Sequence, residues 1–283
     1  MTGERPRART YAPAGLCGAA RAWQPRAMAS LPALATRLLE LHHTGSTLVL
    51  PNVWDAWSAT VVAGAGFEAL SIGSHPLADS RGQGDNEDMT LDDALDGVRR
   101  ICSAVPDVPV TADMEAGYGA APAELVERLL EAGAVGLNVE DTVHSEGGRM
   151  RSVTEHADYI GGLRQAADAA GVDLVINART DAFVAKGRFD DPVAEAITRL
   201  LACEEAGSRC SYPVAAPDAD SLRRILDALA GPVNVIANPR QGSAAGSLDD
   251  LQAMGVHRVT FGPLLQKELA PDLAALVAPW KRD

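Results

Sequence analysis

Asp113 and Glu115 stand two positions apart where the apolar run Val108–Ala112 ends, and Gly117-Tyr-Gly119 follows at once. In extended chain, residues i and i+2 point to one side. The spacing therefore predicts two carboxylates emerging together at a strand end. A second pair, Glu140 and Asp141, closes the run Ala134–Glu140. Four carboxylates brought together repel and raise one another's pKa values, so protons or a metal ion must compensate. Oxygen ligands without His or Cys favour Mg2+ or Mn2+. Any one of these acids alone could instead cap a helix. Arg179 is the one cation expected at the strand ends. A guanidinium there clamps a substrate carboxylate bidentately, or else pairs with Glu140 or Asp181. A metal that polarises an α-oxygen, with an arginine on the carboxylate, stabilises the enolate of a 2-oxo acid.

These residues need elements to position them. Eight apolar runs alternate with Ala/Leu-rich amphipathic stretches: Thr47–Leu50, Ala69–Gly73, Val108–Asp113, Ala134–Glu140, Leu174–Thr180, Ser208–Tyr212, Val233–Ala237 and Arg258–Phe261. A Gly suited to a left-handed helix end precedes many of them, as at Gly133 and Gly207. Strand–helix alternation implies parallel pairing with right-handed crossovers, and eight units predict a (β/α)8 TIM barrel. A doubly wound sheet would carry a Gly-rich loop after its first strand, where this chain has Pro51-Asn-Val-Trp-Asp55. The active site of a barrel lies at the C-terminal strand ends.

The chain has 283 residues, 47% hydrophobic and 22% charged, with net charge -13 and a pI near 4.9. That acidity argues against nucleic acid as a partner, and no apolar run reaches the roughly 18 residues a membrane span needs. The spacing of Cys17, Cys102, Cys203 and Cys210 fits no zinc or disulfide framework, so reduced thiols and a cytoplasmic location are expected. Residues 1–28 hold five arginines and one acid, and read as a disordered tail or a start assigned ahead of Met28. Residues 29–283 read as one barrel domain with a helical tail.

The chain resembles the isocitrate lyase/phosphoenolpyruvate mutase superfamily. The motifs are Asn52-Val-Trp-Asp55 with Ala63-Gly-Ala-Gly-Phe67, Asp113–Gly119, Asn138-Val-Glu-Asp141, Asn177-Ala-Arg-Thr-Asp181 and Val259-Thr-Phe-Gly-Pro263. Each is modest alone; their joint order over Leu31 to Ala270 is specific. The resemblance implies a (β/α)8 barrel, a Mg2+ (or Mn2+) site and 2-oxo-acid or enolpyruvate chemistry. It implies that Asp113 ligates the metal directly, with Glu115 and Glu140 acting largely through water. Arg179 resembles the carboxylate clamp. Gly73, Ser74 and His75 occupy the segment that holds the same substrate, and Trp54 in the first motif joins the substrate contacts. Asp85 matches the acid that is nucleophile or base in phosphoryl-transferring members. A homo-oligomer, dimer or tetramer, is also implied. The stripe Leu273, Leu276, Val277 and Trp280 could pack on a partner chain or cover the barrel's own bottom.

The departures bear on function. The isocitrate and methylisocitrate lyases carry Lys-Lys/Arg-Cys-Gly-His on the loop after strand four. Here that stretch is Asp141-Thr-Val-His-Ser-Glu-Gly-Gly-Arg-Met-Arg151, with neither Cys nor Lys. The gating Asn loop of phosphonopyruvate-type mutases is absent too. His144 is a candidate replacement acid/base on a Gly147-Gly148 hinge, or an exposed loop histidine without a role. Strand six is unusually polar, with Arg209 and Tyr212 unassigned. The expected function is a Mg2+-dependent lyase that cleaves a C–C bond of, or decarboxylates, a small 2-hydroxy or 2-oxo dicarboxylate through a metal-held enolpyruvate. The alternative is phosphoryl mutase or hydrolase chemistry using Asp85. An assembly role on a retained barrel would leave the clustered acids without purpose.

Overall fold

A computed structural model describes residues 29–282; the Arg-rich segment 1–28, with Cys17, lies outside the described residues. Eight parallel strands form a closed ring. They are β1 (Leu48–Leu50, resuming after Pro51 as Asn52–Val53), β2 (Leu70–Ile72), β3 (Val110–Asp113), β4 (Gly136–Glu140), β5 (Val175–Thr180), β6 (Cys210–Pro213), β7 (Asn234–Ile236) and β8 (Arg258–Thr260). Pro51 has no N–H, which interrupts the first strand. Its lower half pairs with β8 (Leu48 beside Arg258) and its upper half with β2 (Asn52 beside Ser71). The ring closes between β6 and β7 through the Ser211–Val233 bridge.

Register places the chemistry. Asp113, Asn138 and Asn177 lie side by side on β3, β4 and β5. Further along, Glu140, Arg179 and Tyr212 are neighbours on β4, β5 and β6. The surrounding helices start where the sequence supplies caps. Asp55 with Ser58, Thr90 with Asp93, and Ser152 with Glu155 each form a reciprocal capping box, which satisfies orphan N–H groups. Helix Leu31–Leu41 plugs the bottom. Leu38 is fully buried, and its Cδ2 would lie 3.0 Å from a Cβ on Gly136. That close approach requires glycine at the foot of β4.

The barrel interior is more polar than bulky branched side chains would make it. Asn52 donates to Ser71 (3.4 Å), Asn177 to Asn138 (2.8 Å), Asn234 to Thr260 (3.2 Å) and Arg258 to Asn138 (3.2 Å), and all these residues are buried. The last helix, Leu264–Val277, buries none of its residues. The stripe does not cover the barrel's bottom. Leu273 and Leu276 line a cavity of about 500 Å³ with Trp54 and Trp57, and Trp280 is exposed. Among the described residues no helix is long and apolar enough to cross a membrane.

Candidate active site

A cavity of about 190 Å³ opens at the C-terminal strand ends, lined by Gly73, Ser74, His75, Asp85, Asp113, Asn138, Arg179 and Tyr212, among others. Gly73 caps helix Ser74–Arg81. The unpaired N–H groups of that first turn face a site suited to an anion. A Cβ on Gly73 would meet Pro76 Cγ at 2.8 Å and Asn52 Nδ2 at 3.2 Å, so only glycine fits. Ser74 Oγ donates to Asp113 Oδ2 (3.2 Å) and approaches Asp85 Oδ1 (3.4 Å). His75 Nδ1 lies 2.9 Å from Asp85 Oδ2. Asp85 is thereby held at the cavity wall, opposite the strand ends.

Glu115 goes elsewhere. β3 ends at Asp113, and Glu115 has φ +46, with Gly117 at +96, Tyr118 at +53 and Gly119 at +71. The alternation rule holds only in extended chain, so the two carboxylates do not emerge together. The Glu115 side chain turns to the loop after β2. It accepts from Glu87 N (2.5 Å) and Tyr118 Oη (2.8 Å). Glu87, which sequence reading missed, also accepts from Tyr118 N (3.1 Å) and Ser145 N (2.8 Å). It ties together the loops after β2, β3 and β4. Its backbone is left-handed (φ +61) and its partners are remote, so no local pattern marks it.

Glu140 is buried and bound on both oxygens, by Arg179 Nη1 (2.5 Å) and His144 Nε2 (3.0 Å). Arg179 Nε also pairs with Asp181 Oδ1 (2.8 Å). The arginine therefore lines the cavity and belongs to an ion-pair network at once. Asp141 does not join the acids. Next to Glu140 in extended chain it faces the other way, accepting from Thr180 Oγ1 (2.7 Å), Asp181 N (2.9 Å) and Arg199 Nη1 (3.2 Å). Trp54 is likewise displaced: it lines the cavity under the last helix and not this one. Arg209 pairs with Asp173 (3.0 Å), away from the pocket, whereas Tyr212 lines it. Cys102, Cys203 and Cys210 are free thiols that burial pushes up to about 12, 12 and 11, so none of them is a reactive thiolate.

Crowded acids dominate the electrostatics. Burial raises Asp113, and Asp85 adds to it while Arg179 opposes. Burial raises Glu115 to about 8, with Asp113 contributing. Burial raises Glu140 to about 7; Asp181 and Asp113 add, and Arg179 and His144 oppose. The hydrogen bond to Glu140 raises His144. His144 sits on the short turn His144–Glu146, which ends in Gly147 and Gly148 at φ +72 and +76. Ligand atoms of Glu140, His144 and Asp181 lie within 4.8 Å of one another and could hold a metal ion. All-oxygen groups that raise each other's pKa also fit a hard divalent cation reached partly through water.

A pH dependence follows. Metal ligands must be deprotonated, and burial pushes the Glu115 and Glu140 carboxyls up to about 8 and about 7. Mg2+ affinity is expected to climb as pH rises from about 6 to about 8.5. Binding at pH 7 should release protons, read by calorimetry in buffers of different ionisation heat. Both groups sit above their unfolded values, so each contributes stability to the metal-free fold that is present at low pH and is lost as pH rises through about 7 and 8. Metal affinity indifferent to pH would remove these carboxyls from the metal site.

The phosphoenolpyruvate phosphomutase family model matches residues 38–279. The chain belongs to that family. It is 30% identical over 247 residues to the chloroplastic carboxyvinyl-carboxyphosphonate phosphorylmutase of Arabidopsis thaliana, covering 80% of this chain and 68% of that one. The crystal structure of 2,3-dimethylmalate lyase, a PEP mutase/isocitrate lyase superfamily member, superposes with TM-score 0.79 at 27% identity, over 88% of each chain. Oxaloacetate acetylhydrolase in complex with the product oxalate gives TM-score 0.76 at 27% identity, over 87% of this chain and 85% of that one. The (β/α)8 architecture and the superfamily are those expected from the motifs. The chain is an enzyme of the lyase and mutase class, built on a scaffold that carries both kinds of chemistry.

Proposed function

We propose that this family member, as a cytoplasmic homo-oligomer, is a Mg2+-dependent lyase that cleaves a C–C bond of, or decarboxylates, a small 2-hydroxy or 2-oxo dicarboxylate by way of an enolpyruvate. The observation that carries it is Arg179, among the described residues the one Arg or Lys in the cavity lining, which it shares with Asp113 and with Gly73 and Ser74 at a helix N-terminus. Arg179 and those amides hold a carboxylate from two sides. Asp113 would hold the metal directly, with Glu115 and Glu140, whose oxygens are bonded to other partners, reached only through water; when bound, the metal would polarise the 2-oxo oxygen. His144, held by Glu140 at 3.0 Å and raised in pKa by that hydrogen bond, can deliver a proton at the rim. Among the described residues the thiols, Cys102, Cys203 and Cys210, lie on other elements and do not line this cavity. That favours loss of CO2, or a cleavage whose acid is His144, over the cysteine-assisted route of the isocitrate lyases.

One observation favours a second reading: Asp85 lines the same cavity and could be a phosphoryl acceptor. The test is a substrate panel of oxaloacetate, methylisocitrate, dimethylmalate and phosphonopyruvate with Mg2+, followed by detection of pyruvate, CO2 and phosphate. We expect turnover of a dicarboxylate, with C–C cleavage retained in Asp85→Asn. Turnover confined to phosphonopyruvate and abolished by Asp85→Asn would replace the lyase reading with phosphoryl chemistry.

A further inference from the structure

Arg258 lies at the foot of β8 and is fully buried inside the barrel. Its guanidinium makes one hydrogen bond among the described residues, from Nη2 to Asn138 Oδ1 at 3.2 Å; Nε and Nη1 have no partner. An arginine fork only donates. The Asn138 atom that faces it must therefore be the amide oxygen, since a flipped amide would set N–H against N–H. Asn177 Nδ2 donates to that same oxygen at 2.8 Å. Two donors from below and beside thus occupy Oδ1, and the amide has one orientation left.

Asn138 lines the active-site cavity with Asp113 and Arg179, and its Nδ2 has no acceptor among the described residues. We infer that Asn138 Nδ2 is a fixed hydrogen-bond donor to an oxyanion of the bound 2-oxo acid, and that Arg258 is the positioning residue that aims it. The inference rests on the 2-oxo-acid reading above. A carboxylate or 2-oxo oxygen set between Arg179 and Asn138 meets a donor already ordered, so binding costs no reorientation. Nothing near the residue predicts the assignment, since Arg258 and Asn138 stand 120 positions apart.

Oxalate with Mg2+ is the probe, titrated into the full-length protein by calorimetry and followed by 15N side-chain amide NMR. Asn138→Asp supplies the assignment of the Asn138 NH2 signal. In wild type that signal should shift on oxalate addition. Asn138→Asp replaces the donor with an acceptor and should weaken oxalate at least about tenfold without weakening Mg2+. Arg258→Met, which touches no ligand, should weaken oxalate about threefold, leave Mg2+ affinity within about twofold, and broaden the Asn138 signal. Arg258→Lys, a lone donor, should recover part of the loss. An NH2 signal unmoved by oxalate, or folded Arg258→Met with wild-type oxalate affinity, overturns the inference while the 2-oxo-acid reading stands. Failure of wild type to bind oxalate in the presence of Mg2+ brings down that reading and the inference with it. Should Arg258→Met not fold, the wild-type shift and the Arg258→Lys titration still decide.

Discussion

Arg179→Met is expected to lower kcat/KM by about 10²–10³-fold or more, the loss seen when a preorganised donor is removed from an active site. Among the described residues the guanidinium is the one Arg or Lys side chain lining the cavity. The same substitution strands Glu140 and Asp181, which sit 2.5 and 2.8 Å from it and are buried. Removing one partner of a buried pair costs about 3–5 kcal/mol, less whatever protonation of the stranded acids recovers. Thermal melts should therefore fall together with activity. The double variant Arg179→Met/Glu140→Gln separates the two effects, because it relieves the stranded charge and should regain stability without regaining turnover. Arg179→Lys keeps the charge but loses the fork, and should fall between. Near wild-type kcat/KM in Arg179→Met would remove the arginine from substrate binding.

Asp113→Asn should uncouple stability from metal binding in opposite directions. Asp113 is half-buried, its pKa is raised, and its charge raises those of Glu115 and Glu140. Taking that charge away relieves repulsion, so the metal-free variant should melt at or above wild type at pH 8. Mg2+ at 100 times its Kd stabilises a binding protein by about 2.7 kcal/mol. That increment should appear in wild type and vanish in the variant, with activity lost. Sites tuned for function are commonly destabilising in this way. An Asp113→Asn melt that Mg2+ still raises as in wild type would place the metal elsewhere, for which Glu140, His144 and Asp181 are the nearest alternative.

Much of the architecture was legible because it is local. Each strand is a short apolar run, each helix begins at a side chain that can cap it, and many end at glycine; these depend on residues a few positions apart. The motifs at the strand ends are equally local, so Asp113, Glu140, Arg179, Ser74, His75 and Asp85 could be named from the chain alone. Asp141 could have been set aside on the same grounds, since alternation turns it away from Glu140. Glu115 could not, because its left-handed backbone belongs to a turn closed by contacts with the loop after β2.

By itself, then, the sequence determined the eightfold alternation, the strand ends that carry acids and arginine, and the absence of a loop thiol. Only the tertiary structure decided which of those side chains meet. It put Glu140 between Arg179 and His144, gave Glu87 three loops to hold, sent Trp54 to the last helix, and brought Arg258 under Asn138. Element formation follows from neighbours along the chain. Side-chain encounters follow from strand register and ring closure, which join residues tens to hundreds of positions apart and leave no periodicity to read.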